Sequence, residues 1–82
     1  MSVIEIRLFA VLRDRFGAET LPFELSANTT AAGLIQKLSE LYPKHSGHLA
    51  VCRVAVNHQF ASADRPLTAA DEVALIPPVS GG

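Results

Sequence analysis

The residues with the clearest chemical potential lie in the last run of the chain, DEVALIPPVSGG. Gly82 carries the α-carboxylate, which is ionised at neutral pH because its reference pKa is about 3.5. An ionised carboxylate is a poor electrophile, but a partner that converts it to an acyl-adenylate opens it to a sulfur or amine nucleophile. Gly81 has no Cβ, so the end can enter a narrow channel. The sequence therefore predicts a carrier whose active site lies in its partners.

Pro77 and Pro78 separate this end from an apolar, strand-like run. Neither proline can donate a hydrogen bond to a sheet, and each fixes φ near −65°, so the pair stops the strand and stiffens the exit of the chain. Residues 79–82 then reach roughly 13 Å at about 3.3 Å each. Two terminal glycines arise by chance in roughly one chain in 200, so the pair alone is weak evidence. It becomes informative because a strand and two prolines precede it. We interpret residues 1–78 as a folded domain and 79–82 as a tail that carries the reactive carboxylate.

Other side chains offer weaker chemistry. Cys52 is the only cysteine, and a buried, inert thiol is expected there rather than a sulfur relay. His45 and His48 have a spacing that suits a metal, but no third ligand is near in sequence, so a solvated loop and no metal site are expected. Asp71 and Glu72 would point to opposite faces of a strand, so they are expected to form a turn and not a catalytic pair.

Size and charge bound the class of protein. The 82 residues suit one domain, and the net charge of −1 argues against nucleic acid as the main partner, since phosphate binding needs a concentrated basic face. The N-terminal apolar run contains Glu5 and Arg7, which argues against a signal peptide or a membrane helix. A cytoplasmic location with no membrane partner is expected.

Hydrophobic periodicity predicts the elements that position the tail. Alternation predicts a strand over 2–9, and a second strand over 19–25 is expected at a sheet edge because Pro22 lacks an N–H. The run 28–43 has helical spacing, with Asn28 or Thr29 as its cap. Alternation also predicts a strand over 49–57, a hairpin turn after it and a last strand that ends at Ile76. One helix on one face of a mixed sheet of four to five strands is a two-layer α+β fold.

In this register, Phe9 and Ile76 both point away from the helix-covered face. Apolar residues on the outer face of neighbouring strands are typical of a docking patch, especially where the patch adjoins the root of the tail. The alternative is that loops cover them or that they are simply exposed.

The end DEVALIPPVSGG and the opening LFAVLRD resemble those of the small, sulfur-carrier subunits of molybdopterin synthases. The body resembles the ubiquitin-like β-grasp fold, and the likeness extends along the whole chain. The departures lie mainly in turns: Ala70 stands where many relatives have glycine, and His58 where they often have Asn-Gly. Leu75 and Ile76 stand where relatives often carry aromatic residues.

The resemblance implies a role in molybdenum cofactor biosynthesis as the sulfur-donating subunit of a sulfurtransferase. An E1-like enzyme would use ATP to adenylylate Gly82, a donor would convert the carboxylate to a thiocarboxylate, and the tail would deliver sulfur to cyclic pyranopterin monophosphate. The large subunit would supply the main catalytic pocket within a heterotetramer, and this chain would bind no cofactor itself. The large-subunit contacts would be Phe9, Ile76, Pro77, Pro78, Val79 and Ser80.

Two alternatives use the same activated end. A ubiquitin-like modifier would join Gly82 to lysines of target proteins, and a thiamine-type carrier would pass its sulfur to a different product. A third alternative is an interaction module whose tail has no chemistry.

Overall fold

The chain forms a mixed sheet covered on one face by a helix, in a computed structural model that describes residues 2–78. The strands are β1 (Ser2–Leu8), β2 (Thr20–Leu25), β3 (Arg53–Val56), β4 (Gln59–Phe60) and β5 (Val73–Ile76). The helices are α1 (Val11–Phe16), α2 (Ala31–Leu41) and α3 (Ser46–Ala50), with a 3-10 turn over Pro43–His45. No helix within residues 2–78 is long and apolar enough to cross a membrane.

The order of strands across the sheet is β2-β1-β5-β3-β4. β1 and β5 run parallel, and the other neighbouring pairs are antiparallel. The expected edge position of the strand that contains Pro22 is confirmed, because β2 pairs with β1 alone. β5, the strand that leads to the tail, lies at the centre of the sheet. β5 is therefore paired on both sides, with β1 at Ala74 and Leu75 and with β3 as far as Ile76.

The core lies between α2 and the inner face of the sheet. Alternation puts Ile4, Ile6 and Leu8 on that face of β1, and all three are buried. Leu34 and Leu38 on α2 are fully buried against them. This arrangement confirms the two-layer α+β architecture that the periodicity predicts.

The ends of α2 differ from the prediction. Thr30, not Asn28 or Thr29, caps the helix, because its Oγ1 accepts a hydrogen bond from the Gly33 N–H at 3.1 Å. Thr29 instead donates its hydroxyl to the Ser26 carbonyl oxygen and stays in the preceding turn. Leu41 belongs to the predicted apolar stripe but is largely exposed.

Two segments predicted as non-helical contain short helices. The connection before Gly17 is α1, which ends at Gly17 with φ of 67° and the Gly17 N–H bonded to the Arg13 carbonyl oxygen. The loop predicted around His45 is the 3-10 turn and α3, and the strand predicted from Leu49 begins only at Arg53. Leu49 is fully buried, so α3 reaches the core through a side chain that the alternation assigned to a strand.

The hairpin between β3 and β4 has two central residues with positive φ, Asn57 at 53° and His58 at 71°. This is the backbone signature of a type I′ turn, the two-residue turn whose twist matches that of paired strands. Asn adopts this conformation readily, whereas His58 carries a Cβ that is strained there.

Replacing His58 with glycine is therefore expected to raise the free energy of unfolding by about 0.5–1 kcal/mol, because glycine has no Cβ to strain at this φ. Chemical denaturation of the two proteins measures the difference. A matched His48→Gly substitution, within α3, is expected to destabilise instead, since its backbone is helical. Equal stability losses in both variants would contradict the assigned turn.

A polar cluster ties this hairpin to the entry of β5. Asp71 accepts hydrogen bonds from the Thr68 backbone N–H at 2.8 Å, from the Asn57 side-chain amide at 3.0 Å and from Arg65 Nη1 at 3.1 Å. These donors, led by the Thr68 N–H, hold the pKa of Asp71 below its ordinary value, although partial burial opposes them. Asn57 Oδ1 in turn accepts from the Glu72 N–H at 2.9 Å. The carboxylate of Asp71 thus helps to form the turn that precedes β5, as the sequence predicts.

Replacing Asp71 with alanine is expected to lower the free energy of unfolding by about 1–3 kcal/mol at neutral pH, because three donors lose a charged acceptor. The pKa of Asp71 is lower in the folded state than in the unfolded state, where it is about 3.9. The stabilisation from Asp71 is therefore fully present above a pH of about 3.9, and it is lost as the pH falls through the folded-state pKa. The gap between variant and parent should therefore narrow in acid. Urea denaturation across this pH range tests it, with Asp64→Ala in the same loop expected to cost at most about 0.5 kcal/mol. A gap that stays constant with pH would contradict the assignment.

Candidate docking face and tail root

The outer face of the sheet carries a shallow hollow of about 240 Å³ beside the end of β5. Its floor is made by Ala55 and Ala74, which are directly opposite each other on β3 and β5. Larger side chains surround these two small ones, so the hollow is a consequence of where alanine falls in the register. Its lining consists of Arg7, Phe9, Ala55, His58, Phe60, Glu72, Ala74 and Ile76.

The apolar wall contains both residues that the sequence singles out for docking. Phe9 follows β1 and is 37% exposed, while Ile76 ends β5 and is half-buried. The structure brings them to the same hollow, although they are far apart in sequence. Phe60, which the sequence reasoning missed, forms a further part of the wall and is 55% exposed. Its sequence signal is an aromatic residue two positions after the hairpin turn.

A charged rim joins three elements beside this wall. Glu72 Oε2 lies 3.0 Å from His58 Nε2 and 3.9 Å from Arg7 Nη1. The Arg7 guanidinium also lies over the Phe9 ring, with 5.7 Å from its Cζ to the ring centroid. Glu72 therefore lies between the hairpin turn and β1, and its negative charge is close to the cation that contacts Phe9.

The root of the tail begins where β5 ends. Ile76 is the last residue of β5 and lies opposite Arg53 on β3. Pro77 is half-buried and Pro78 is exposed. The expected contacts at Val79 and Ser80, and the chemistry expected at Gly81 and Gly82, lie outside the described residues. The hollow and the root of the tail adjoin through Ile76.

Cys52 lies half-buried just before β3, less enclosed than the sequence predicts. Its Sγ donates a hydrogen bond to the His48 carbonyl oxygen at 3.1 Å. Burial raises the pKa of the Cys52 thiol, so the unreactive thiol form is favoured at neutral pH.

His45, predicted to lie in a solvated loop, packs instead against an aromatic side chain. The His45 ring packs on Phe16, with 4.4 Å between ring centroids, and Phe16 packs edge-on against Tyr42 at 5.2 Å. Within residues 2–78, no three His, Cys, Asp or Glu side chains come together as a metal site. His45 thus contributes to a small aromatic cluster at the end of α2.

Comparison with known proteins places this geometry in context. The model of the ThiS family matches residues 6–82. A molybdopterin synthase sulfur carrier subunit from Dictyostelium discoideum is 38% identical over 81 residues, which cover 95% of this chain and 94% of the relative. A protein of the same name from Chlamydomonas reinhardtii is 30% identical and covers 96% of this chain and 98% of its own length.

Solved structures share the fold. The small archaeal modifier protein 1 (SAMP1) from Haloferax volcanii is 27% identical with a TM-score of 0.78, and the match covers 99% of this chain and 100% of that one. A chain from the complex of subunits 1 and 2 of the molybdopterin-converting factor of Helicobacter pylori is 23% identical, with a TM-score of 0.67 and coverage of 99% and 100%. The ubiquitin-like β-grasp fold expected from the sequence is confirmed.

Proposed function

The chain belongs to the ThiS family, and from this membership we propose that it is the sulfur-carrier subunit of a molybdopterin synthase. The observation that carries the proposal is the apolar hollow at the root of the tail. A carrier must dock on its partner and direct its end into the partner's pocket, and Ile76 belongs both to the hollow and to the strand that leads there. The sulfur-carrier names of the two relatives support the same role.

The proposed reaction takes place on the Gly82 carboxylate. In the activating enzyme, a carboxylate oxygen attacks the α-phosphorus of ATP, and pyrophosphate leaves to give an acyl-adenylate. A donor of sulfide-level sulfur then displaces AMP and leaves a thiocarboxylate. In the large subunit, the thiocarboxylate sulfur would bond to a carbon of cyclic pyranopterin monophosphate and displace an oxygen substituent from it. Water would then cleave the acyl–sulfur bond, which leaves the sulfur on the pterin and restores the Gly82 carboxylate. Two such deliveries build the dithiolene, which fits a heterotetramer with two carriers.

The body of the protein serves this reaction by docking and aiming. We assign Phe9, Phe60 and Ile76 to contact with the large subunit, because partly exposed apolar side chains around a concavity are typical of interface cores. Pro77 and Pro78 fix the direction in which the chain leaves the sheet. Val79 and Ser80 would line the entrance to the partner's pocket, and Gly81 would let the end pass a narrow part of it.

The test is the intact mass of the chain after co-expression with its activating enzyme and sulfur donor. The expected product has one oxygen replaced by sulfur, and deletion of Gly82 should prevent the change. A Lys37→Arg variant should still acquire sulfur, since no lysine of this chain takes part in the proposed route. An unmodified chain under conditions that thiolate a known carrier would refute the proposal.

A second candidate is a protein modifier, favoured by the likeness to SAMP1 at 27% identity. A modifier would use the same adenylate but would form an amide with a lysine of another protein. Lysine-linked adducts in the same mass measurement, in place of the thiocarboxylate, would favour this candidate.

A further inference from the structure

Arg53 gives the hollow a positive flank, and we infer that this flank selects a partner surface on which a carboxylate stands beside the apolar contact. The inference rests on the proposed function, because the partner is taken to be the large subunit of molybdopterin synthase. It adds a specificity determinant that acts through charge to a surface otherwise described by its apolar residues.

The position of Arg53 follows from the register of the sheet. Arg53 lies opposite Ile76 and two residues before Ala55, so it shares the outer face with the hollow. Its Cζ lies 4.0 Å from the centroid of the Phe60 ring, a close cation–π contact. The guanidinium is thus held against the Phe60 ring, which forms part of the wall of the hollow, and it lies beside the lining residues near the end of β5.

The opposite flank differs in charge. Arg7 also lies over a phenylalanine of the hollow, but Glu72 Oε2 is 3.9 Å from its Nη1 and also contacts His58. No carboxylate oxygen in the part of the chain that the structure describes lies within 4.0 Å of the Arg53 guanidinium. One flank is therefore balanced within the chain, and the other presents a single positive charge.

Docking makes this difference consequential. A guanidinium stacked on a ring still exposes the N–H groups at its edge, which donate to water while the face is free. A partner that covers the hollow removes that water, and the lost hydration is costly unless an acceptor replaces it. A carboxylate accepts two such N–H groups in a planar, bidentate pair. The surface therefore fits a partner with an apolar side chain for the hollow and a carboxylate next to it.

The test measures binding of the large subunit from the same organism by calorimetry, at low and high NaCl. Arg53→Met keeps a long apolar side chain on Phe60 and should weaken binding roughly tenfold at low salt. Much of the salt dependence of binding should disappear with the charge, because salt screens charge pairs and not apolar contact. Arg53→Lys should keep the salt dependence. Arg15→Met, at an exposed position on α1, is the matched control and should change neither quantity.

Charge reversal sharpens the test. Arg53→Glu should weaken binding more than Arg53→Met, and replacing the facing carboxylate of the large subunit with lysine should restore it. A wild-type salt dependence in Arg53→Met, together with failure of every single carboxylate-to-lysine change to rescue Arg53→Glu, would overturn the inference.

The outcome also separates the inference from the proposed function. If Phe9→Asp abolishes binding while Arg53→Met binds as the parent does, the docking face stands and the charge inference fails. If the parent chain does not bind the large subunit at all, the proposed function fails.

Discussion

Replacement of Phe9 with aspartate is expected to weaken binding to the proposed partner, the large subunit, at least roughly 100-fold, without unfolding the chain. Phe9 is partly exposed and contributes to the wall of the hollow, so the free protein can hydrate an aspartate there. In the complex, the same carboxylate would face Ile76 and the apolar partner surface without water, which is costly for a charge. Titration calorimetry with the large subunit measures the change.

The matched control is Val3→Asp. Val3 is on β1, the strand that precedes Phe9, and is 69% exposed, but it does not line the hollow. Both variants receive the same charge in place of an exposed apolar residue, so a general effect of charge would weaken both. Equal affinities for Phe9→Asp and the parent, with unchanged circular dichroism, would remove Phe9 from the interface.

Replacement of Leu75 with alanine is expected to lower the free energy of unfolding by about 3–4 kcal/mol, because the change leaves a cavity in a fully buried site. Leu75 is on the central strand, opposite Leu8 of β1 on one side and Val54 of β3 on the other. A domain of this size has a total stability of roughly 4–12 kcal/mol. The variant should therefore lose a large share of its stability, measured by urea denaturation.

Leu41→Ala provides the same chemical change at an exposed position. Leu41 is 55% exposed at the end of α2, so its truncation should cost at most about 1 kcal/mol. If the two variants lost equal stability, burial at Leu75 would not be the cause. The comparison also tests whether the stability of β5 depends on the core contacts of Leu75.

Much of the fold could be predicted from the sequence because the long elements have clear periodicity. β1 could be predicted because Ile4, Ile6 and Leu8 alternate with polar residues. α2 could be predicted because Leu34 and Leu38 recur at helical spacing. The short helices were not, because α1 has six residues and α3 has five, too few for a helical period to emerge. Leu49 alternates with Val51 as in a strand, and only its packing in the core distinguishes the two.

The candidate site could be predicted in part for the same reason. Phe9 and Ile76 follow from alternation along single strands, which needs no knowledge of the partner strand. Phe60 and Arg53 depend on how β3 pairs with β4 and β5, and that register is a tertiary property. The alanine floor could not be predicted from the sequence, because Ala55 and Ala74 form it only when β3 and β5 pair in the register that puts them opposite each other.

The central position of β5 has a mechanical consequence. In the proposed function, a partner that draws the end of the chain into its pocket would place a load on β5. A strand at a sheet edge would resist a pull along its axis with one ladder of hydrogen bonds. β5 pairs with β1 on one side and with β3 on the other, so the same load would fall on two ladders at once, in shear. The position of β5 is thus suited to resist a pull on the residues that follow it.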